Sequence, residues 1–175
     1  MVREIVRDPI FLSQKCVEAT AADIQIAEDL IDTLRVNLDR CVGMAANMIG
    51  KRKRIIAITK GTMIIAMMNP RIISGIEEYE AEEGCLSLEG TRKVKRYRSI
   101  RLFWQDVQMK EHIGTLDGFQ AQIVQHEVNH CDGILIRMEA QMKIMVSACL
   151  LGENCKYNGG SNRNEKLLRL LEGHT

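Results

Sequence analysis

The chain carries almost no net charge, +1 over 175 residues. It therefore generates no global field that would favour nucleic acid or an acidic membrane surface. It also lacks an apolar run near the roughly 18 residues that span a bilayer. The opening MVREIVRDP breaks its apolar residues with charges and holds no signal-peptide core, so a cytoplasmic protein with no membrane partner is expected. Aromatics are few, with one Trp, three Tyr and three Phe against ten Met, so Ile, Leu, Val and Met must fill the core. The basic stretches 51–54 and 92–101 have only Tyr97 interleaved for base stacking, which argues for solvated faces and against a direct nucleic-acid site.

What remains is an ordinary globular composition, 46% hydrophobic and 27% charged, of a length that suits one domain with a sizeable core. The six cysteines, at 16, 41, 85, 131, 149 and 155, are expected to be reduced thiols in such a compartment. Helical periodicity runs over 20–38, with Ile24, Ala27, Leu30, Ile31, Leu34 and Leu38 on one face and Thr20 as N-cap. Strands are expected at 54–59 and 62–69, turning at Lys60-Gly61 and stopped by Pro70, then at 71–80, 100–107 and 110–116. Asp117 can cap a helix from Gly118 to about Cys131, with Gly133 as its stop. Strands that precede a single central helix indicate an α+β fold and not repeated βαβ units.

That last helix carries H-E-x-x-H. His126 and His130 lie one turn apart, so their imidazoles leave the same face and can share one cation. Glu127 sits beside the first ligand, able to reach a water at the metal without ligating, as a general base requires. Phe119 and Ile123 continue the stripe and would wall a pocket with apolar surface. Histidines four apart also arise by chance, and a catalytic site needs a third protein ligand. Cys85 in EEGCLS is the best candidate: Gly84 beside it permits close backbone approach, and thiolates bind first-row divalent metals strongly. A buried apolar cysteine is the bland alternative.

Taken together, VGMAAN at 42–47, EGCLS at 83–87 and QHEVNH at 125–130 resemble the three signature blocks of the bacterial peptide deformylases, in order and spacing, over roughly residues 1–140. The resemblance implies an α+β fold of antiparallel sheets around a central helix bearing the histidines. It implies removal of the formyl group from the N-terminal methionine of nascent chains, with formyl-Met peptides as partners and action near the ribosome. It implies one divalent metal held by Cys85, His126 and His130, natively Fe2+, with Zn2+ or Ni2+ found in preparations. Glu127 becomes the acid/base, and the Leu86 N–H points at the formyl oxygen. Val42 and Gly43 pair with the peptide, Gly84, Met48 and Ile123 border the substrate, and Glu83 with Arg96 forms a supporting ion pair.

The sequence departs from the family pattern G-x-G-x-A-A-x-Q at two places in its first block. Cys41 replaces the first glycine, and Met48 stands where a glutamine amide would donate to the formyl oxygen, which a thioether cannot do. Asn47, one residue off, is expected to point elsewhere. Asn129 replaces the usual Asp between the histidines. Weak activity is therefore expected, with a non-catalytic metal-binding relative as the alternative. A deformylase-like domain is assigned to 1–143. Residues 144–175 read as an extension that resembles the opening of a separate bacterial domain beginning SACLLG; the bland alternative is an appended tail in which Asn164 starts a short helix at 165–172.

Overall fold

In the computed structural model, residues 1–136 and residues 164 and 165 are described, and the former belong to one unit, Met1–Met138. The chain opens with a short helix α1 (Pro9–Leu12) and a 3-10 turn (Ala21–Asp23) that leads into α2 (Ile24–Arg35). Then come β1 (Gly43–Ala45), a second 3-10 turn (Ala46–Ile49), β2 (Ile55–Lys60), β3 (Met63–Cys85), β4 (Leu88–Gln105), β5 (Glu111–Asp117) and α3 (Gly118–Cys131). The five strands form one antiparallel sheet in chain order, which with the helices makes an α+β fold. Among the described residues no helix is long and apolar enough to cross a membrane.

One face of the sheet supplies Ile56, Ile58, Met67, Ile100 and Leu102 to the core, and α2 and α3 cover it with Leu30, Leu34, Val124 and Val128. Each such side chain contributes about 1.5–3 kcal/mol on burial. Helix α2 begins later and ends earlier than its periodicity predicts, and Leu38 is 46% exposed. The start shifts because the Thr20 backbone N–H and hydroxyl both donate to the Asp23 carboxylate, at 2.8 and 3.1 Å, which holds the entry in a tighter turn.

The largest departure from expectation is the hairpin. Pro70 does not stop the second strand, and 63–85 is one continuous strand. The register slips between Met68 and Arg71, so the proline occupies a bulge where no ladder N–H is required. Asn69, at φ 51°, turns its amide to the Ala19 backbone, and the Pro70 carbonyl accepts from Arg54 at 2.8 Å. The segment EEGCLSLEG likewise does not interrupt the sheet. It is the hairpin tip, with Cys85 paired to Leu88 across Leu86-Ser87. Strand β4 therefore starts at Leu88 and not near Ile100.

Basic residues of 92–101 face an acidic partner strand, with Lys95 to Glu78 at 2.9 Å and Lys93 to Glu80 at 3.6 Å. Arg54, last of the KRKR run, is buried and bonds Asp132 at 2.6 Å just beyond α3. Cys16, Cys41, Cys85 and Cys131 are free thiols, whereas Cys149, Cys155 and the helix expected at 165–172 beyond Glu165 lie outside the described residues.

Asp29 is a buried acid on α2. Burial alone would raise its carboxyl, but bonds from the Met1 ammonium (2.9 Å), Arg3 (2.8 Å) and Gln25 (3.2 Å) hold it down at about 2. A lowered folded-state value adds stability above the unfolded carboxylate range, lost as pH falls from about 4 through 2. Wild type should lose on the order of 1–2 kcal/mol more than Asp29→Asn across that window, read from denaturation midpoints at stepped pH. Parallel curves would contradict the assignment.

Candidate functional site

Two elements bring the chemistry together. Helix α3 runs over the predicted residues because Gly118 (φ 54°) turns the chain out of β5 and Gly133 (φ 72°) ends it. Asp117 occupies the N-cap position, although its side chain makes no capping bond. The helix is anchored through Gln125, which accepts from the Tyr97 N–H at 2.8 Å and donates to the Tyr97 carbonyl at 2.9 Å. The hairpin tip then delivers Cys85 to His126 and His130. Their ligand-type atoms all lie within 4.8 Å of one another, with Cys85 Sγ 3.3 Å from His130 Nε2.

Behind the cluster sits a buried charge network. Glu83 accepts two bonds from Arg96, at 2.8 and 2.7 Å, and its Oε2 lies 2.9 Å from His126 Nδ1. That bond puts the proton on Nδ1 and leaves His126 Nε2 for a ligand, a carboxylate–histidine arrangement common to metal sites. Burial would raise the Glu83 carboxyl, but His126 and Arg96 hold it down at about 2. Burial would lower His126, yet Cys85 and Glu83 raise it to about 10, so the surroundings favour positive charge there. Burial drives His130 down to about 3, keeping its imidazole neutral. One thiol and two imidazoles around a point that attracts positive charge fit a divalent first-row cation.

Glu127 is 4% exposed, and its Oε2 has no hydrogen-bond partner among the described residues. Burial raises its carboxyl to about 7, the range in which a carboxylate exchanges protons at neutral pH. A Cβ on Gly43 would lie 2.6 Å from Ile123 Cγ2 and 2.8 Å from Glu127 Oε1. The glycine is thus required by close approach of β1 to α3. Gly43→Ala is expected to cost about 1–3 kcal/mol, read as a lowered denaturation midpoint. An unchanged midpoint would show that Ile123 and Glu127 give way freely.

An open cleft of about 570 Å³ leads to the cluster. Of the residues singled out in the sequence, Val42, Gly43, Met48, Glu83, Gly84, Cys85, Leu86, Ile123, His126 and Glu127 all border it. His130 lies behind, 1% exposed, and Arg96 reaches the site through Glu83. Strand β1 is the edge of the sheet beside this cleft.

A model of the polypeptide deformylase family matches residues 2–144. The chain belongs to this family. A peptide deformylase of Clostridium beijerinckii is 50% identical over 136 residues, 78% of this chain and all of that one. A peptide deformylase of Dictyoglomus thermophilum is 38% identical over 141 residues, 78% of this chain and 91% of that one. Among solved structures, the class I type b peptide deformylase of Acinetobacter baumannii bound to Met-Ala-Ser has TM-score 0.70 at 26% identity, covering 78% of this chain and 97% of that one. The Thermus thermophilus peptide deformylase has TM-score 0.70 at 30% identity, over 78% and 83%.

Within this deformylase fold, the structure shows the surroundings of Asn47 and Cys41, both named from the sequence, and adds Gln122, which the sequence reading passed over. Asn47 is fully buried and does point away from the cleft, its Nδ2 donating to the His130 carbonyl at 2.8 Å and the Leu12 carbonyl at 3.3 Å. No local signal marked its partners, because they are distant in sequence. Cys41 lines the cleft mouth, its thiol donating to the Gly43 carbonyl at 2.6 Å and raised to about 12 by burial and the nearby Glu127 charge. Gln122 also lines the cleft, and its spacing four before His126 could have revealed it.

Proposed function

We propose that this chain hydrolyses the N-formyl group from the N-terminal methionine of nascent polypeptides, giving formate and a free amine. The observation that carries the reading is the convergence of Cys85, His126 and His130 beside the unpartnered Glu127 Oε2, in a cleft bordered by the β1 edge. Cys85, His126 and His130 would hold one divalent cation, natively Fe2+, with Zn2+ or Ni2+ as substitutes. When bound, that cation supplies Lewis acidity toward the attacking water and the formyl oxygen.

The remaining work falls to the chain. Val42 and Gly43 receive the extended peptide as an added strand along the free side of β1. Gly84, Met48 and Ile123 border the formyl-methionine. The Leu86 N–H at the hairpin tip donates to the formyl oxygen as negative charge develops there. Glu127 takes a proton from the attacking water and returns it to the amine nitrogen as the C–N bond breaks. Glu83, clamped by Arg96, fixes the His126 ring.

Met48 weakens this machinery. Its side chain is 1% exposed, and its sulfur accepts from the Ala45 N–H at 3.5 Å, so it presents no donor to the oxyanion. Reduced turnover follows, and Met48 also favours the second reading, a metal-binding relative that holds formylated peptides without cleaving them. We place the protein in the cytoplasm near ribosomes, with 1–143 as the catalytic domain and 144–175 as an extension.

The test is kcat/KM for formate release from formyl-Met-Ala-Ser after anaerobic loading with Fe2+ or Ni2+. Turnover abolished by chelation supports hydrolysis. No turnover with one metal bound per chain, and with formyl-Met-Ala-Ser still bound, favours the binding reading.

A further inference from the structure

The cleft wall opposite β1 contains a polar group that neither the family blocks nor the mechanism uses. Gln122 lies on α3 one turn before His126 and lines the cleft with Phe119 and Ile123. Ile123 and Glu127 face Gly43, so they form the β1 side. Gln122 faces the hairpin, where the Tyr79 hydroxyl donates to its Oε1 at 3.0 Å. Among the described residues this is the hydrogen bond that its side chain makes. The Tyr79 ring is held in turn beneath the Arg98 guanidinium, 4.8 Å from the ring centroid.

A glutamine amide has one acceptor and two N–H donors on opposite ends. With Oε1 committed to Tyr79, Nε2 is the end offered to a ligand. Met48 and Ala45 lie on the β1 side, so Gln122 does not replace the missing oxyanion donor. It shares the α3 wall of the cleft with Phe119 and Ile123, where a donor beside a substrate side chain discriminates by what that side chain can accept.

We propose that Gln122, oriented by Tyr79, is a specificity-determining residue that selects formyl peptides whose first side chain bears a hydrogen-bond acceptor near its end. A methionine sulfur is a weak acceptor, a sulfoxide oxygen a strong one, and the methylene of norleucine none. The preferred substrate class therefore extends to chains that begin with oxidised methionine. This rests on the deformylase reading of the cleft, with Met as the first residue.

The test is calorimetric binding of Met-Ala-Ser, norleucine-Ala-Ser and methionine-sulfoxide-Ala-Ser to the metal-loaded full chain, which reads the cleft without requiring catalysis. Wild type should bind the sulfoxide peptide at least about fivefold more tightly than the norleucine peptide, as one buried hydrogen bond allows, with Met between them. Gln122→Leu should abolish that order. Gln122→Glu, which keeps the shape and the Tyr79 bond but has no donor, should reverse it. Tyr79→Phe frees the amide to rotate and should narrow the gap. Equal ratios in wild type, Gln122→Leu and Gln122→Glu would overturn the proposal. Failure of all three peptides to bind while formate is still released from formyl-Met-Ala-Ser would also overturn the proposal, whereas failure of binding and of release together would remove the deformylase reading and this inference with it.

Discussion

Glu127→Gln is expected to lower kcat on a formyl-Met peptide by about 10²–10⁴, the range in which a positioned acid/base group contributes. The substitution keeps the volume and the packing against Gly43 and Ile123 while removing the proton acceptor. Because Glu127 is not among the three clustered donor residues, bound metal per chain should stay unchanged. Formate release and metal content measured on the same preparation separate the two effects. A kcat within a few-fold of wild type would strip Glu127 of its role. Loss of metal in parallel with activity would make it a ligand or a support for one.

Met48→Gln should act in the opposite direction, raising kcat by about 10²–10³, equivalent to roughly 3–4 kcal/mol of oxyanion stabilisation. The two side chains are similar in volume, so the buried position can accept the exchange. The amide N–H then reaches toward the cleft that Met48 already borders. Asn47 cannot perform this task in the wild type, since its amide is committed to the His130 and Leu12 carbonyls. The gain should fall on kcat more than on KM, because the donor meets charge that exists fully only in the transition state. Unchanged kcat would mean that the Leu86 N–H and the metal already suffice.

Helix α3 was legible in full, from Gly118 to Cys131, because a motif, a periodicity and two flanking glycines agree there. The same locality explains why two members of the cluster were readable: His126 and His130 share a face by spacing alone. Cys85 was readable as the candidate third member of the cluster, but its place on a hairpin tip was not, since glycines in EEGCLSLEG read as an interruption. Pro70 misled for a related reason. A missing N–H ends a strand only where the ladder needs it, and the bulge at Met68–Arg71 removes that need. Least legible were supports between remote segments. Gln125 to Tyr97, Asp132 to Arg54 and Asn47 to His130 each join residues 28 to 83 positions apart, and no periodicity encodes such pairs.

The sheet order follows the chain order without a crossover. Each strand can therefore pair with one already made, and the hairpin ending at Gln105 can close before α3 has left the ribosome. Such local pairing keeps loop-closure costs small at each step. The cluster of Cys85, His126 and His130 is different, because Cys85 waits on its tip until the histidines of α3 arrive. Competence thus waits for α3, which is made after all five strands. A partly made protein holds its thiol ready but has no helix with which to complete the site.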